Sequence, residues 1–257
     1  MHYAIPITQK LRKLIRSLNQ KQNRDQHHLF IAEGSKLCNE AYVSKFVTEL
    51  LVVRDSPSAE VLDIVEKFAD KGTPIYNAPK HQFDQMSSMK SPEGLVGIVN
   101  KRQIEIKPDY PTIILDGIND PGNLGTIIRT AEWFGFKQVI LGNDSSDHYN
   151  PKAVRSSMGA IFKMPIQYFE DLPNGVKNFF GDIKIYGASL DAKKDLDSIK
   201  PKGKFAVVFG NESHGISPEM QEILTESFII TGKGNTESLN VAVAAGISIN
   251  HFSKSIK

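Results

Sequence analysis

A chain of 257 residues with a net charge of +2 and an ordinary apolar fraction can bury an ample core and has room for two modest domains. Its single cysteine, Cys38, excludes an internal disulfide framework and a cysteine zinc cluster. No apolar run approaches a membrane span or a signal-peptide core, so the cytoplasm is the expected compartment.

Basic residues crowd the first segment: Lys10, Arg12, Lys13, Arg16, Lys21 and Arg24, with His27 and His28 behind them and only Asp25 opposing. Leu11, Leu14, Ile15 and Leu18 set an apolar stripe beneath, which predicts an amphipathic helix. Its basic side can neutralise phosphates or simply face water. Phe30-Ile-Ala-Glu-Gly34 leads to a helix near 35–43, a strand at 49–53, a helix near 59–69 and a short strand at 74–76. A turn-rich stretch, Met89-Lys-Ser-Pro-Glu-Gly94, precedes a strand at 95–99. This alternation predicts a small α/β domain over residues 1–105, with the charged, proline-bearing run from Lys101 to Pro111 as linker. Over residues 106–257, strands are predicted near 112–116, 137–141, 161–168, 183–188, 205–209 and 228–231, with helices in most intervals. Such a pattern builds a mainly parallel sheet covered on both faces, with ligands beyond the carboxyl ends of its strands.

Three strand-to-helix junctions carry the polar, glycine-rich sequence. In the first, Thr112-Ile-Ile-Leu115 runs into Asp116-Gly-Ile-Asn-Asp-Pro-Gly-Asn123. The helix that follows places Leu124, Ile127, Ile128, Ala131 and Phe134 on one face, with Arg129 off it. In the second, Phe205-Ala-Val-Val-Phe209 breaks into Gly210-Asn-Glu-Ser-His-Gly-Ile216, and Ser217-Pro218 forms a cap followed by proline at the first helical position. In the third, Phe228 to Thr231 enters a loop that opens onto small residues from Val241, where Ser238 and Asn240 both have N-cap chemistry. All three fall at one sheet edge, which predicts a composite site for a polar ligand held close to the backbone.

Gly232-Lys-Gly-Asn lacks the ending of a phosphate-binding P-loop, and Asp116 to Gly125 lacks the dinucleotide fingerprint. No metal-ligand spacing and no G-x-S-x-G elbow is present. The junctions instead resemble, in order, the three motifs of the SpoU/TrmH branch of SPOUT methyltransferases. These are Asn123-Leu-Gly-Thr-Ile-Ile-Arg129, Phe209-Gly-Asn-Glu-Ser-His-Gly-Ile216 and Ser238-Leu-Asn-Val-Ala-Val-Ala-Ala-Gly246. Lys152-Ala-Val-Arg-Ser-Ser-Met-Gly-Ala160 resembles the family's connecting segment. Ala32-Glu-Gly34 and Lys90-Ser-Pro-Glu-Gly94 resemble the substrate-binding domain often fused in front, itself similar to a ribosomal-protein RNA-binding fold.

The resemblance implies methylation of a ribose 2′-hydroxyl in RNA by S-adenosylmethionine, without a metal. Ribosomal RNA is the expected substrate and transfer RNA the alternative. It also implies an α/β sheet with a deep trefoil knot over residues 106–257, and a homodimer with its site near the subunit interface. A catalytically idle RNA-binding or ribosome-assembly protein is the alternative of another class, against which the intact Asn123, Arg129, Glu212 and Asn240 speak.

By the same resemblance Arg129 is catalytic. An arginine stays protonated, so the expected role is to grip a phosphate bidentately and polarise the ribose hydroxyl. Asn123 is expected to fix the loop, orient Arg129 or cap the helix, and Glu212 to orient Arg129 or the loop. Ser238 and Asn240 complete the set, facing the RNA or the methionine end of the cofactor, with capping as the competing role. Cofactor contacts are implied at Gly210, Ile230, Leu239, Ala188 and Ser189, while Gly232 and Gly234 permit close approach of the chain. His214 is expected to be a loop residue. RNA contacts are expected at Arg12, Lys13, Arg16 and, in the connecting segment, Arg155.

Overall fold

The structure, a computed structural model, describes residues 4–256, which form two compact units. One contains the residues up to Arg102 together with Asp147–Lys163; the other contains Gln103–Ser146 and the residues from Met164 onward.

The first unit begins with β1 (Ile5–Pro6), α1 (Gln9–Ser17), α2 (Lys21–His27), β2 (Leu29–Glu33) and α3 (Ser35–Val43). It continues with β3 (Thr48–Arg54), α4 (Ala59–Asp70), β4 (Ile75–Ala78), α5 (Lys80–Asp84) and β5 (Leu95–Asn100). The five strands lie in the order β1-β4-β3-β5-β2, with β5 antiparallel to both neighbours and the other pairs parallel. The basic segment is two helices rather than one. Thr8 caps α1 by accepting from Leu11 N at 3.2 Å, and the helix ends at Ser17, whose hydroxyl bonds back to Leu14 O. Alternation along β3 sends Val52 to a cluster with Ile15, Leu18 and Phe83, and Leu51 and Val53 to one with Val61, Val65 and Phe68. The apolar stripe of α1 is therefore core, and Lys13 and Arg16 face water.

The second unit opens with β6 (Thr112–Asp116), α6 (Pro121–Trp133) and β7 (Gln138–Gly142). The chain then returns to the first unit for Asp147–Lys163, which contains α7 (Pro151–Ser156) and a tight 3₁₀ turn at Ala160–Phe162. Tyr149 lies 4.5 Å from Phe30 between ring centroids, and Phe162 lies 5.9 Å from Phe30 and 5.3 Å from Phe46. Burial in that turn delays the strand predicted from residue 161 to β8 (Ile166–Phe169). Then come α8 (Leu172–Phe180), β9 (Lys184–Ala188), β10 (Phe205–Gly210), α9 (Pro218–Gln221), β11 (Glu226–Phe228) and α10 (Val241–Ser253). The sheet order is β11-β9-β10-β6-β7-β8, and every pairing in it is parallel. Ile113–Leu115, Val139–Leu141 and Ala206–Phe209 are at most 1% exposed, as strands covered on both faces must be. β11 ends three residues earlier than predicted. Past Phe228 the pairing is only an isolated bridge between Ile229 and Asp195.

The return of residues 147–163 rests on a buried ion pair. Arg24, 1% exposed, donates from Nε and Nη2 to Asp147 Oδ2 at 2.8 and 2.6 Å, and from Nη1 to Leu18 O at 2.8 Å. Burial works to raise the Asp147 pKa, but the Arg24 charge and the Tyr149 N–H hold it below the usual carboxylate range. Arg24 is thus withdrawn from the basic stripe. Asp147→Ala leaves that guanidinium buried and unpaired, and is expected to destabilise the protein by about 3–5 kcal/mol. Combining Arg24→Met with Asp147→Leu is expected to recover most of the loss, as measured by denaturant unfolding of the three variants.

Candidate functional site

The first junction is held in place by side chains from elsewhere in the second unit. Asp116 Oδ2, at the end of β6, accepts from Ser217 N at 2.7 Å. Ser145 Oγ, buried, accepts from Gly117 N and Ile118 N at 3.2 Å each and donates to Leu115 O at 3.1 Å. Asn211 Nδ2 donates to Gly117 O at 2.8 Å, while its Oδ1 accepts from Ser213 N and His214 N at 2.8 and 3.2 Å. Asn211 and Gly215 exchange both backbone hydrogen bonds, which folds the second loop tightly back. That fold leaves no room at Gly210: a Cβ there would lie 2.1 Å from Gly215 C and 2.2 Å from Ile216 N.

Asp120 caps α6 by accepting from Asn123 N at 2.9 Å, with Pro121 in the first turn. Asn123 is therefore not the cap, and its side chain is free for other work. Its Nδ2 donates to Glu212 Oε1 at 3.0 Å, and its Oδ1 accepts from Asn240 Nδ2 at 3.1 Å. Asn240 Oδ1 in turn caps α10, accepting from Ala242 N at 2.9 Å. Each amide's orientation follows from the use of its oxygen. Glu212 also accepts from Asn119 N and Asp120 N at 3.3 and 3.4 Å. Glu212, Asn123 and Asn240 thus link all three junctions. Partial burial raises the Glu212 pKa, but these donors, Asn123 foremost, outweigh it and hold the carboxyl below its ordinary value.

Arg129 is exposed on α6, and its side chain makes no hydrogen bond or ion pair among the described residues. The expected pairing with Glu212 is not made, because that carboxylate is turned to the loop. Trp133, four residues on and 79% exposed, shares Arg129's face of the helix. Ser238 is exposed and does not cap α10. His214 is exposed in the second loop.

Ala188 ends β9 opposite Phe228, and Ser189 N donates to Phe228 O at 2.9 Å. Gly210 ends β10, and Ile230, half-buried, follows β11, so these four positions gather at the carboxyl ends of adjacent strands. Gly232 and Leu239 belong to the loop beyond. Among the described residues, 232–239 make no backbone–backbone hydrogen bond. Gly232 and Gly234 face open space, and Leu239 is 48% exposed. Free peptide groups beside exposed apolar surface and unobstructed glycines suit a nucleoside-like ligand. No group of three His, Cys, Asp or Glu side chains among the described residues is placed to hold a metal, and none of their helices is long and apolar enough to cross a membrane.

The other predicted contacts lie in the first unit. Lys13 and Arg16 are exposed, whereas Arg12 is half-buried and its Nε lacks a hydrogen-bond partner. Arg155 Nη1 donates to Ser88 Oγ at 2.5 Å and lies 4.0 Å from Glu33 Oε2. Sequence reasoning missed Ser145 and Asn211. Asn211 had a local signal, an Asx-turn residue directly after a strand, while Ser145 acts 28 residues from Gly117 and had none. Since the folded Glu212 pKa is depressed, its contribution to stability is complete above the unfolded value of 4.5 and fades as pH falls through the folded one. Glu212→Gln is accordingly expected to be less stable than the parent at pH 7, by a small margin that closes in acid, as read by denaturant titration across pH.

Residues 111–250 match the model of the SpoU rRNA Methylase family, and residues 11–97 that of an MRM3-like substrate binding domain. The chain is 28% identical to the 23S rRNA (guanosine(2553)-2'-O)-methyltransferase RlmP of Bacillus subtilis, over 92% of its own length and 93% of the relative's. It is also 28% identical to the 23S rRNA (guanosine-2'-O-)-methyltransferase RlmB of Xylella fastidiosa, over 80% and 88% of the two chains. Its fold is similar to the crystal structure of the AdoMet-bound rRNA methyltransferase from Sinorhizobium meliloti, with a TM-score of 0.86, 27% identity and coverage of 99% and 98%.

Proposed function

The chain belongs to the SpoU rRNA methylase family, and from that premise we propose that it methylates a ribose 2′-hydroxyl of ribosomal RNA using S-adenosylmethionine. The observation that carries this is the hydrogen-bonded link among Glu212, Asn123 and Asn240, which fixes three loops while leaving Arg129 and the 232–239 loop free to meet substrates. The relatives named for 23S rRNA support a large-subunit target.

When bound, the cofactor supplies a methyl group already activated on a sulfonium sulfur. The peptide groups of Gly210, Ile230, Gly232 and Leu239, with Ala188 and Ser189, would hold it, and Leu239 would cover its apolar surface. Arg129 stays protonated, so it clasps the phosphate beside the target in its planar fork and polarises the hydroxyl, with the phosphate assisting proton removal. Glu212 positions the loop, because its charge is already shared among three N–H donors. Ser238, exposed beside Asn240, faces the RNA. Holding two substrates in line supplies much of the acceleration. Arg12, Lys13, Arg16 and Arg155 in the first unit contact the RNA, and the cytoplasm is the site of action.

The family's deep trefoil knot, formed by the C-terminal part of the chain, belongs to the same proposal, as does a homodimer. α6 and α10 pack together and leave Trp133, Val243 and Ile247 exposed at 79%, 50% and 42%. An apolar surface of that kind suits a second copy of the chain, and Arg129, on the face of Trp133, would then lie at the subunit boundary.

Maps of 2′-O-methyl groups in ribosomal RNA from a strain lacking the protein are expected to lose a modification that the intact chain restores and Arg129→Ala does not. An unchanged map would overturn the proposal. In purified form, Arg129→Ala is expected to lose at least about a hundredfold in transfer with cofactor affinity within a few-fold, and Arg129→Lys to be severely impaired. Light scattering is expected to give a dimer that Trp133→Glu dissociates with loss of transfer; a fully active monomer would contradict the dimer.

A further inference from the structure

Met158 follows α7 in the left-handed backbone region, with φ +50, where glycine or asparagine is unstrained and a long side chain is uncommon. The surrounding chain holds it there firmly. Ser157 is fully buried and donates its hydroxyl to Val154 O at 2.7 Å, Met158 N donates to Arg155 O at 3.1 Å, and Ala160 N donates to Ser157 O at 3.0 Å. Gly159 is packed so closely on α3 that a Cβ would lie 2.5 Å from Glu40 Cγ. Yet the Met158 side chain is 44% exposed. A strained backbone thus displays an apolar group to water, where it adds little to folding, and strain of this kind marks functional positions.

Cationic residues stand close by in the chain. Arg155, one turn back, donates to Ser88 Oγ at 2.5 Å, and the exposed Lys90 lies two residues after Ser88. Two carboxylates lie near, and both are engaged: Glu33, its side chain 3% exposed, by the Ser87 and Ser88 hydroxyls, and Glu40, against Gly159, by Lys36 and Lys163, so they offer little charge to solvent. An apolar projection one turn from Arg155, whose partner Ser88 lies two residues before Lys90, suits an unpaired base with phosphates beside it. The methionine thioether is polarizable and packs on aromatic faces, apolar side chains including methionine act as wedges against bases, and unstacked bases are the usual target in RNA. We propose that Met158 is an RNA-contacting wedge that packs against an unpaired base while Arg155 and Lys90 hold the adjoining phosphates. The proposal rests on the RNA methyltransferase assignment above.

The test compares the parent, Met158→Gly and Met158→Leu in filter binding to an unmodified 23S rRNA transcript, with thermal melting and light scattering of each protein alone. Met158→Gly is expected to melt at or above the parent temperature, because glycine suits the left-handed position, yet to bind RNA roughly fivefold more weakly. Met158→Leu, which keeps apolar bulk, is expected to stay within about twofold of the parent. Parent-like RNA affinity for Met158→Gly overturns the wedge, as does an altered oligomeric state with RNA affinity intact. Methylation of the same transcript by the parent is measured alongside. If the parent methylates it and the glycine variant binds normally, the wedge alone fails; if the parent does not, the methyltransferase assignment is what fails.

Discussion

Glu212 accepts hydrogen bonds from Asn119 N, Asp120 N and Asn123 Nδ2, and through Asn123 it is joined to the amide of Asn240. The carboxyl edge of a parallel sheet gathers loops whose peptide N–H groups have no strand to pair with. A carboxylate can satisfy several of them at once, with charge-assisted bonds stronger than neutral ones. The loop after β6, the loop after β10 and the start of α10 are thereby fastened to one another without a covalent link. Everything proposed to touch a substrate lies outside this fastening. Arg129 stands on the open face of α6, and the 232–239 loop keeps its peptide groups free.

Much of this was legible from sequence because the signals are local. Continuous β-branched runs identify strands buried on both faces, and Ser217-Pro218 marks the start of a short helix. The three polar junctions that the structure joins through Glu212, Asn123 and Asn240 were visible because they depend on composition at strand ends. What escaped depends on partners distant in the chain. Both Asp120 and Asn123 have capping chemistry, and only the position of Glu212, 89 residues from Asn123, explains why one caps α6 and the other reaches across. Ser238 and Asn240 present the same ambiguity, which the bond from Asn240 to Asn123 resolves in favour of Asn240 as cap.

Charge read along the chain was similarly incomplete. Arg24 looked like another member of a solvated basic stripe, yet it is buried against Asp147, 123 residues away. Ile161 and Phe162 had the composition of a strand, but the aromatic cluster around Phe30 and Phe46 uses them in a tight turn. In both cases tertiary burial overrode a local propensity.

Asp147, Tyr149 and Phe162 complete a core that the chain begins before residue 103. During synthesis the sheet of the first unit and its two apolar clusters can close once the first hundred residues have emerged, since their members all lie before residue 103. The aromatic face around Phe30 and Phe46 is covered only after about sixty more, roughly 3–12 s at 5–20 residues per second, while β6, α6 and β7 are made in the interval. Until the segment arrives, Phe30 and Phe46 lack its aromatic partners and Arg24 lacks its carboxylate, so the nascent front unit is a natural client for chaperones that shield exposed apolar surface.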